Sequence, residues 1–272
     1  MSQQMREFKS QIGFLTIAQN TTVDYLRLAY HQAKNIKATQ TNNSYAVIVD
    51  ADTLAQVTDE HRKVFDYVIE LPMDLAKKES WKLSNECQVM DLTPFKETIK
   101  LESDLLFTCD ISHWLSALRL RDVCLSYNCR DHQGNLIDRS PYRKLFGVNN
   151  LPDVYNGMMY FRYTQTAVDF FKLAKKIYMD WHTIQQELKL CDQDPTTDVV
   201  YAIAARIIGV EKCTIPTLDF FNFTHMKSGI QGWSDRQPWT DYVNVEHDDG
   251  MIRINNVNQY GPVHYYEKDF VK

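Results

Sequence analysis

Residues 12–18 read Ile-Gly-Phe-Leu-Thr-Ile-Ala, and residues 45–49 read Tyr-Ala-Val-Ile-Val. Both are short apolar runs with strand composition. Between them Asp24 stands where it can cap a helix from Tyr25 to about Ile36, whose apolar positions Tyr25, Leu28, Ala29 and Ala33 keep helical spacing. A third apolar run, Phe65–Leu71, is stopped by Pro72. Strand, helix, strand and again strand predict an α/β fold, with a largely parallel central sheet flanked by helices. Ligands on such sheets bind beyond the carboxyl ends of the strands. That edge holds Ala18, the polar turn Gln19–Thr22 with Asn20, and Asp50, which makes Ala18, Asn20 and Asp50 candidates for contact with a nucleotide donor. The glycine-free turn after Ala18 argues against a nucleotidyltransferase, which pairs its metal-binding carboxylates with a glycine-rich loop near the N-terminus.

Further along, Ile99–Leu101 reads as another strand, and Glu102-Ser103-Asp104 falls at its end. Side chains two residues apart on a strand project to the same side. Two hard oxygen donors therefore face one point, which suits Mn²⁺ or Mg²⁺ carrying a phosphorylated substrate. Asp50-Ala51-Asp52 is a second acid-x-acid triplet, placed where Asp50 contacts a nucleoside or caps the next helix.

Composition narrows the chemistry. Nine glycines in 272 residues are few for a chain that would hold phosphate on backbone alone, and no dinucleotide fingerprint or P-loop motif occurs. A diphosphate then has to be held by metal and cationic side chains. The net charge of -5 does not mark a nucleic-acid binder as a whole. Six cysteines without a C-x-x-C pair argue against a zinc site and fit reduced thiols in the cytoplasm. No signal-peptide core or membrane-length apolar run is present, so no membrane partner is expected.

Trp81–Thr93 and Ile111–Arg121 read as helices, Asp122–Tyr127 as a strand, and Asn128–Asn150 as a long polar loop carrying Arg130, His132, Arg139, Arg143 and Lys144. Such a loop could hold DNA phosphates. Tyr155–Arg162 is an aromatic strand, Thr166–Trp181 an amphipathic helix, and Asp198 opens a helix over Val199–Ile208. From Val210 onward short strands and loops carry His225, Lys227, His264 and Lys268. No repeat or linker interrupts the chain, so residues 1–272 form a single domain, with a donor half over about 1–125 and an acceptor half over about 126–272.

Several stretches resemble nucleotide-sugar glycosyltransferases of the GT-A, Rossmann-like type. Trp81-Lys82-Leu83, Leu92-Thr93-Pro94-Phe95 and the following IKLESD (99–104) are similar to the approach to the D-x-D motif of glycogenin-like enzymes, with Glu102 in place of its first aspartate. Tyr155-Asn156-Gly157-Met158-Met159 resembles the strand lining the sugar site. TPFKETIKLESDLL (93–106), ISHWL (111–115), NNLPDVYNGMMYFR (149–162), THMK (224–227) and GPVHYYEK (261–268) together resemble glycosyltransferases of T-even-like bacteriophages.

The resemblance implies a divalent cation on Glu102, Asp104 and His264, with His225 the rival for the histidine ligand, and Lys268 on the diphosphate. It also implies Lys82, Asn156 and Gly157 at the donor sugar, and Asp198 beside the acceptor as general base if the reaction inverts. Arg130, Arg143, Lys144, His225 and Lys227 are the candidates for acceptor binding. The implied donor is a UDP-sugar, and the implied acceptor is the hydroxymethyl group of modified cytosine in double-stranded phage DNA. Glucose or arabinose is the sugar class, and the setting is the host cytoplasm. The same motifs on a protein, lipid or glycan acceptor, or on a non-catalytic nucleotide- or DNA-binding module, are the competing readings.

Overall fold

The computed structural model describes residues 7–79, 82–137, 141–188, 190, 194–215, 220–248 and 251–271. In chain order its strands are β1 (Ser10–Ile17), β2 (Tyr45–Val49), β3 (Tyr67–Glu70), β4 (Phe95–Leu101), β5 (Leu105–Phe107), β6 (Val123–Tyr127), β7 (Val154–Arg162), β8 (Thr224–His225), β9 (Val245–Asp248), β10 (Met251–Ile254), β11 (Val257–Gln259) and β12 (Pro262–His264).

Six of them form the central sheet, in the order β3-β2-β1-β4-β7-β6. The first four run parallel and only β7 is antiparallel to its neighbours, so the expected mostly parallel α/β sheet is what forms. Alternation splits each central strand between two cores. Ile99 and Leu101 of β4, with Met158 and Tyr160 of β7, face helix Tyr25–Thr39 through its Leu26, Ala29, Ala33 and Ile36. Met159 and Phe161 face the opposite layer, against Phe170 and Phe171 of helix Gln165–Met179 and Tyr201 of helix Thr197–Ile208.

Parallel register carries the consequence for the site. Thr16 stands opposite Leu101 and Ile17 opposite Ile48, so the ends of β1, β2 and β4 come level at one edge. A small second sheet, β5-β12-β8, folds onto that edge. It rests on a third core of Leu28, Met226, Trp239, Ile252, Ile254, Val263 and Tyr265, in which the wholly buried Trp239 donates its indole N–H to Tyr265 O at 2.6 Å.

Four element expectations need correction. Trp81–Thr93 is not one helix; a 3-10 stretch Leu83–Gln88 and a single turn Val89–Leu92 stand there, Trp81 lying outside the described residues. Lys82 is left-handed (φ 55°), and Asn85 and Gln88 use their amides to bind the 73–75 segment, so tertiary hydrogen bonds override helical spacing. Ile111–Arg121 shrinks to Ser112–Trp114 plus Leu115–Leu118, closed by the tight turn from Leu118 O to Arg121 N. The supposed loop Asn128–Asn150 contains helix Pro141–Val148. Helix Thr166–Trp181 breaks at Asp180 into Gln165–Met179 and Trp181–Glu187.

Candidate functional site

Glu102 and Asp104 sit where β4 leaves the sheet and turns into β5. The turn is held from beneath by an amide that apolar spacing alone would not select. Gln32, in the apolar stripe of helix Tyr25–Thr39, donates Nε2 to both Glu102 O (2.6 Å) and Leu105 O (2.8 Å), while its Oε1 accepts from Tyr45 OH at 2.8 Å. Asn35, one turn on, both accepts from Phe107 N and donates to Phe107 O. A polar residue interrupting Leu28, Ala29, Ala33 and Ile36 was the available signal.

The second sheet brings the distant chain end to this turn. β12 pairs antiparallel with β5, setting His264 opposite Leu105, and parallel with β8, setting His264 beside His225. Tyr265 N–H donates to Asp104 O at 3.0 Å. Arg27 then grips the tail through the carbonyls of Lys268 and Val271. Glu102, Asp104 and His264 consequently converge, with one donor atom from each lying within 4.8 Å of the others.

His264 Nε2 is buried, 3.2 Å from Glu102 Oε2 and 3.1 Å from Asp104 Oδ1, within ion-pair distance of both carboxylates. Two carboxylate oxygens and a buried imidazole nitrogen beside them make an O₂N donor set that suits Mn²⁺ and Mg²⁺ once the imidazole gives up its proton. On the other side of the ring, His264 Nδ1 lies 2.5 Å from His225 Nδ1, the rings stacked at 4.5 Å and 10°. Burial drives His225 well below the usual histidine range, with the neighbouring His264 adding to it. A neutral His225 accepting from His264 Nδ1–H would be an outer partner of the kind that orients metal-ligating histidines.

Burial also works against charge on His264, but Asp104 and then Glu102 outweigh it and raise its pKa. Asp104, although buried, is held far below the carboxylate range by His264 and Lys268. Lys268 is ion-paired with Asp104 and stands 5.3 Å from the ring centre of Tyr266. Lys227 lies 4.5 Å from the same centre and has no ion pair among the described residues. The pair of ammonium groups thus flanks one aromatic ring next to the carboxylates. Charge this close is where a diphosphate would be accepted.

The donor candidates divide. Ala18 is wholly buried at the end of β1. Asn20 is used locally, accepting from Leu26 N and donating to Asp24 and Gln56. Asp50 caps its helix by accepting from Thr53 N and also accepts from Gln19 Nε2. That contact opens a chain through Asn85 to Asp74, which Lys82 joins by donating to Asp74 Oδ2 at 3.4 Å, and Lys82 also donates to the carbonyls of Ala76 and Lys77. Lys82 is therefore tied to its own loop.

Asn156 is 1% exposed, its amide donating to Glu102 Oε1 at 3.2 Å and accepting from Lys100 Nζ at 3.2 Å. Its side chain holds Glu102 rather than facing a sugar, a correction forced by burial. Gly157 accepts from Glu102 N at 2.9 Å, and a Cβ there would meet the Phe223 ring at 2.6 Å. Only glycine lets Phe223 lie between this strand and the edge-on rings of His225 and His264.

Asp198 is the second residue of its helix, and both its oxygens are engaged, with Asn156 N–H (2.6 Å) and Arg143 (2.7 Å). Arg143 is correspondingly misassigned as a DNA contact. It is 5% exposed, paired with Asp153 and Asp198 and stacked on Tyr155 at 3.4 Å. His225, 7% exposed and stacked behind His264, likewise leaves the acceptor set. Lys144 is exposed, Arg130 donates to Gly134 O, and Arg139 lies outside the described residues.

No protein-family model matches the sequence, and no curated protein does. The fold has solved counterparts. The chain superposes on the apo form of mouse Xyloside xylosyltransferase 1 with a TM-score of 0.57 at 8% identity, covering 94% of this chain and 97% of that one. It matches the apo structure of WbbM, a bifunctional glycosyltransferase, with a TM-score of 0.54 at 9% identity over 96% of this chain and 46% of that one. This chain thus spans less than half of WbbM. The likeness is one of fold: the chain has the mixed α/β architecture of these glycosyltransferases. Among the described residues no helix is long and apolar enough to cross a membrane.

Proposed function

We propose that this chain is a metal-dependent glycosyltransferase that moves a sugar from a nucleotide diphosphate donor to an acceptor hydroxyl. The observation that carries the reading is the convergence of Glu102, Asp104 and the buried His264 Nε2 at the strand-end edge of a glycosyltransferase fold. Those three residues would hold Mn²⁺ or Mg²⁺, which when bound supplies Lewis-acid stabilisation of the departing diphosphate. Lys268 and Lys227 add positive charge where the same oxygens would lie, so Lys227 is reassigned from the acceptor to the donor. Residues before about 125 then serve mainly the nucleotide-sugar, and those after it the acceptor and the diphosphate.

UDP is the nucleotide of this proposal. Asp198 is poorly placed as a free base, since both its oxygens already accept hydrogen bonds. The acceptor we favour from sequence resemblance is hydroxymethylcytosine in phage DNA, with the exposed Lys144 as a cationic contact to it. Calorimetric titration of UDP with Mn²⁺ and again with EDTA tests the donor half. Metal-dependent binding that disappears in Asp104→Ala supports it, and binding indifferent to metal overturns it. Transfer of labelled sugar to hydroxymethylcytosine-containing duplex, compared with glycan and protein acceptors, tests the acceptor.

A further inference from the structure

We infer that Lys100 is a positioning residue of the metal site, acting through Asn156 to fix which oxygen of Glu102 faces the metal. The inference rests on the proposed metal role of Glu102 and adds to it a residue with no contact to any ligand. Lys100 is 0% exposed in the central strand β4, two positions before Glu102, which follows the strand, and the one Asn156 amide reaches both side chains. A buried ammonium is costly unless paired and hydrogen-bonded. Its partners are Glu86 Oε2 at 2.6 Å and Asn156 Oδ1 at 3.2 Å. Glu86 is itself buried and joined to the same layer, its backbone carbonyl accepting from Tyr201 OH.

The ammonium has donors only, so it dictates the orientation of the Asn156 amide. Oδ1 must face Lys100, and Nδ2 must face away from it. Facing away means facing Glu102 Oε1, at 3.2 Å. That hydrogen bond occupies one carboxylate oxygen and leaves the other, Oε2, turned to His264 Nε2. With Lys100 neutralised the amide is free to flip, and a flipped Asn156 would set its oxygen against the carboxylate. The alternative is that Lys100 and Glu86 merely pin the Leu83–Gln88 turn to the sheet.

The test uses the full chain with Mn²⁺ as the probe and no nucleotide, following the electron paramagnetic resonance signal of free Mn²⁺. Lys100→Met combined with Glu86→Gln removes the pair without leaving an unpaired charge. Its fold is checked by thermal unfolding, and Lys100→Leu with Glu86→Leu replaces it if it does not fold. The expected result is a folded protein whose Mn²⁺ affinity is about tenfold or more weaker, the range for outer partners of metal ligands. Asn156→Ala should weaken binding similarly, and adding it to the double variant should cost nothing further. Wild-type affinity in the folded double variant, or additive losses, overturns the inference and leaves the metal site standing. No Mn²⁺ binding by the wild type overturns both.

Discussion

The Lys268 ammonium is ion-paired with the buried carboxylate of Asp104, 164 positions earlier in the chain. In the absence of metal this lysine neutralises the carboxylate, so a divalent cation arriving at Asp104 meets a like charge already in place. Lys268→Met is therefore expected to raise Mn²⁺ affinity measured alone, by roughly the several-fold that one nearby charge confers. The same variant is expected to lower UDP affinity measured with saturating Mn²⁺. Paired titrations check it, and a parallel fall in both affinities would contradict the arrangement.

Metal binding should depend on pH through His264. Burial pulls its pKa down, but Asp104 and Glu102 raise it above the usual histidine value. The metal takes only the neutral imidazole. As pH falls through this raised pKa the proton competes, and Mn²⁺ affinity should drop by about tenfold per pH unit. The fall begins at a higher pH than an ordinary histidine would give. Mn²⁺ titrations from pH 8 down to pH 5.5 would reveal it, and a flat profile would remove His264 from the ligand set.

Gln32→Ala strips two hydrogen bonds from the Glu102–Leu105 turn and one from Tyr45, all inside the fold. Leaving those buried groups unpaired should cost ~1–3 kcal/mol of stability. Mn²⁺ affinity should fall with it, because the turn positions both carboxylates. Urea unfolding and metal titration on the same preparation separate the effects.

Gly157→Ala forces a methyl group against the Phe223 ring. Overpacking of this kind costs ~1–3 kcal/mol. It should also disturb His264, which packs edge-on to that ring at 5.7 Å. Reduced Tm with weakened Mn²⁺ binding is expected, and Phe223→Leu in the same chain should restore part of the stability.

Arg143 and Lys144 are neighbours with opposite expected behaviour. Arg143→Met leaves Asp153 and Asp198 without their buried cation and should destabilise by ~3–5 kcal/mol. Lys144→Ala should leave stability unchanged and, if DNA is the acceptor, reduce the salt dependence of DNA binding. Equal effects of the two on stability would contradict the burial of Arg143.

Much of the fold was legible because apolar runs and helical spacing report burial directly. β1, β2, the capped helix Tyr25–Thr39 and the aromatic strand β7 all carry that pattern. One misread element is a stretch whose polar side chains make tertiary hydrogen bonds. In Leu83–Gln88, Asn85 and Gln88 bind a neighbouring segment, and no local periodicity records such a partner. Arg143 misled for the same reason, since a cation in a polar stretch looks solvated until its carboxylates are known.

By itself the sequence determined the α/β alternation and the paired carboxylates at a strand end, because periods of 2 and 3.6 are local properties of the backbone. It also supplied the residue types for a metal and a diphosphate. Tertiary structure alone decided that β12 lies between β5 and β8 and so sets His264 against Glu102, Asp104 and His225. Strand pairing across most of the chain is chosen by the burial of Trp239, Val263 and Tyr265 in a shared core. Such a choice depends on the whole folded chain, and no local stretch contains it.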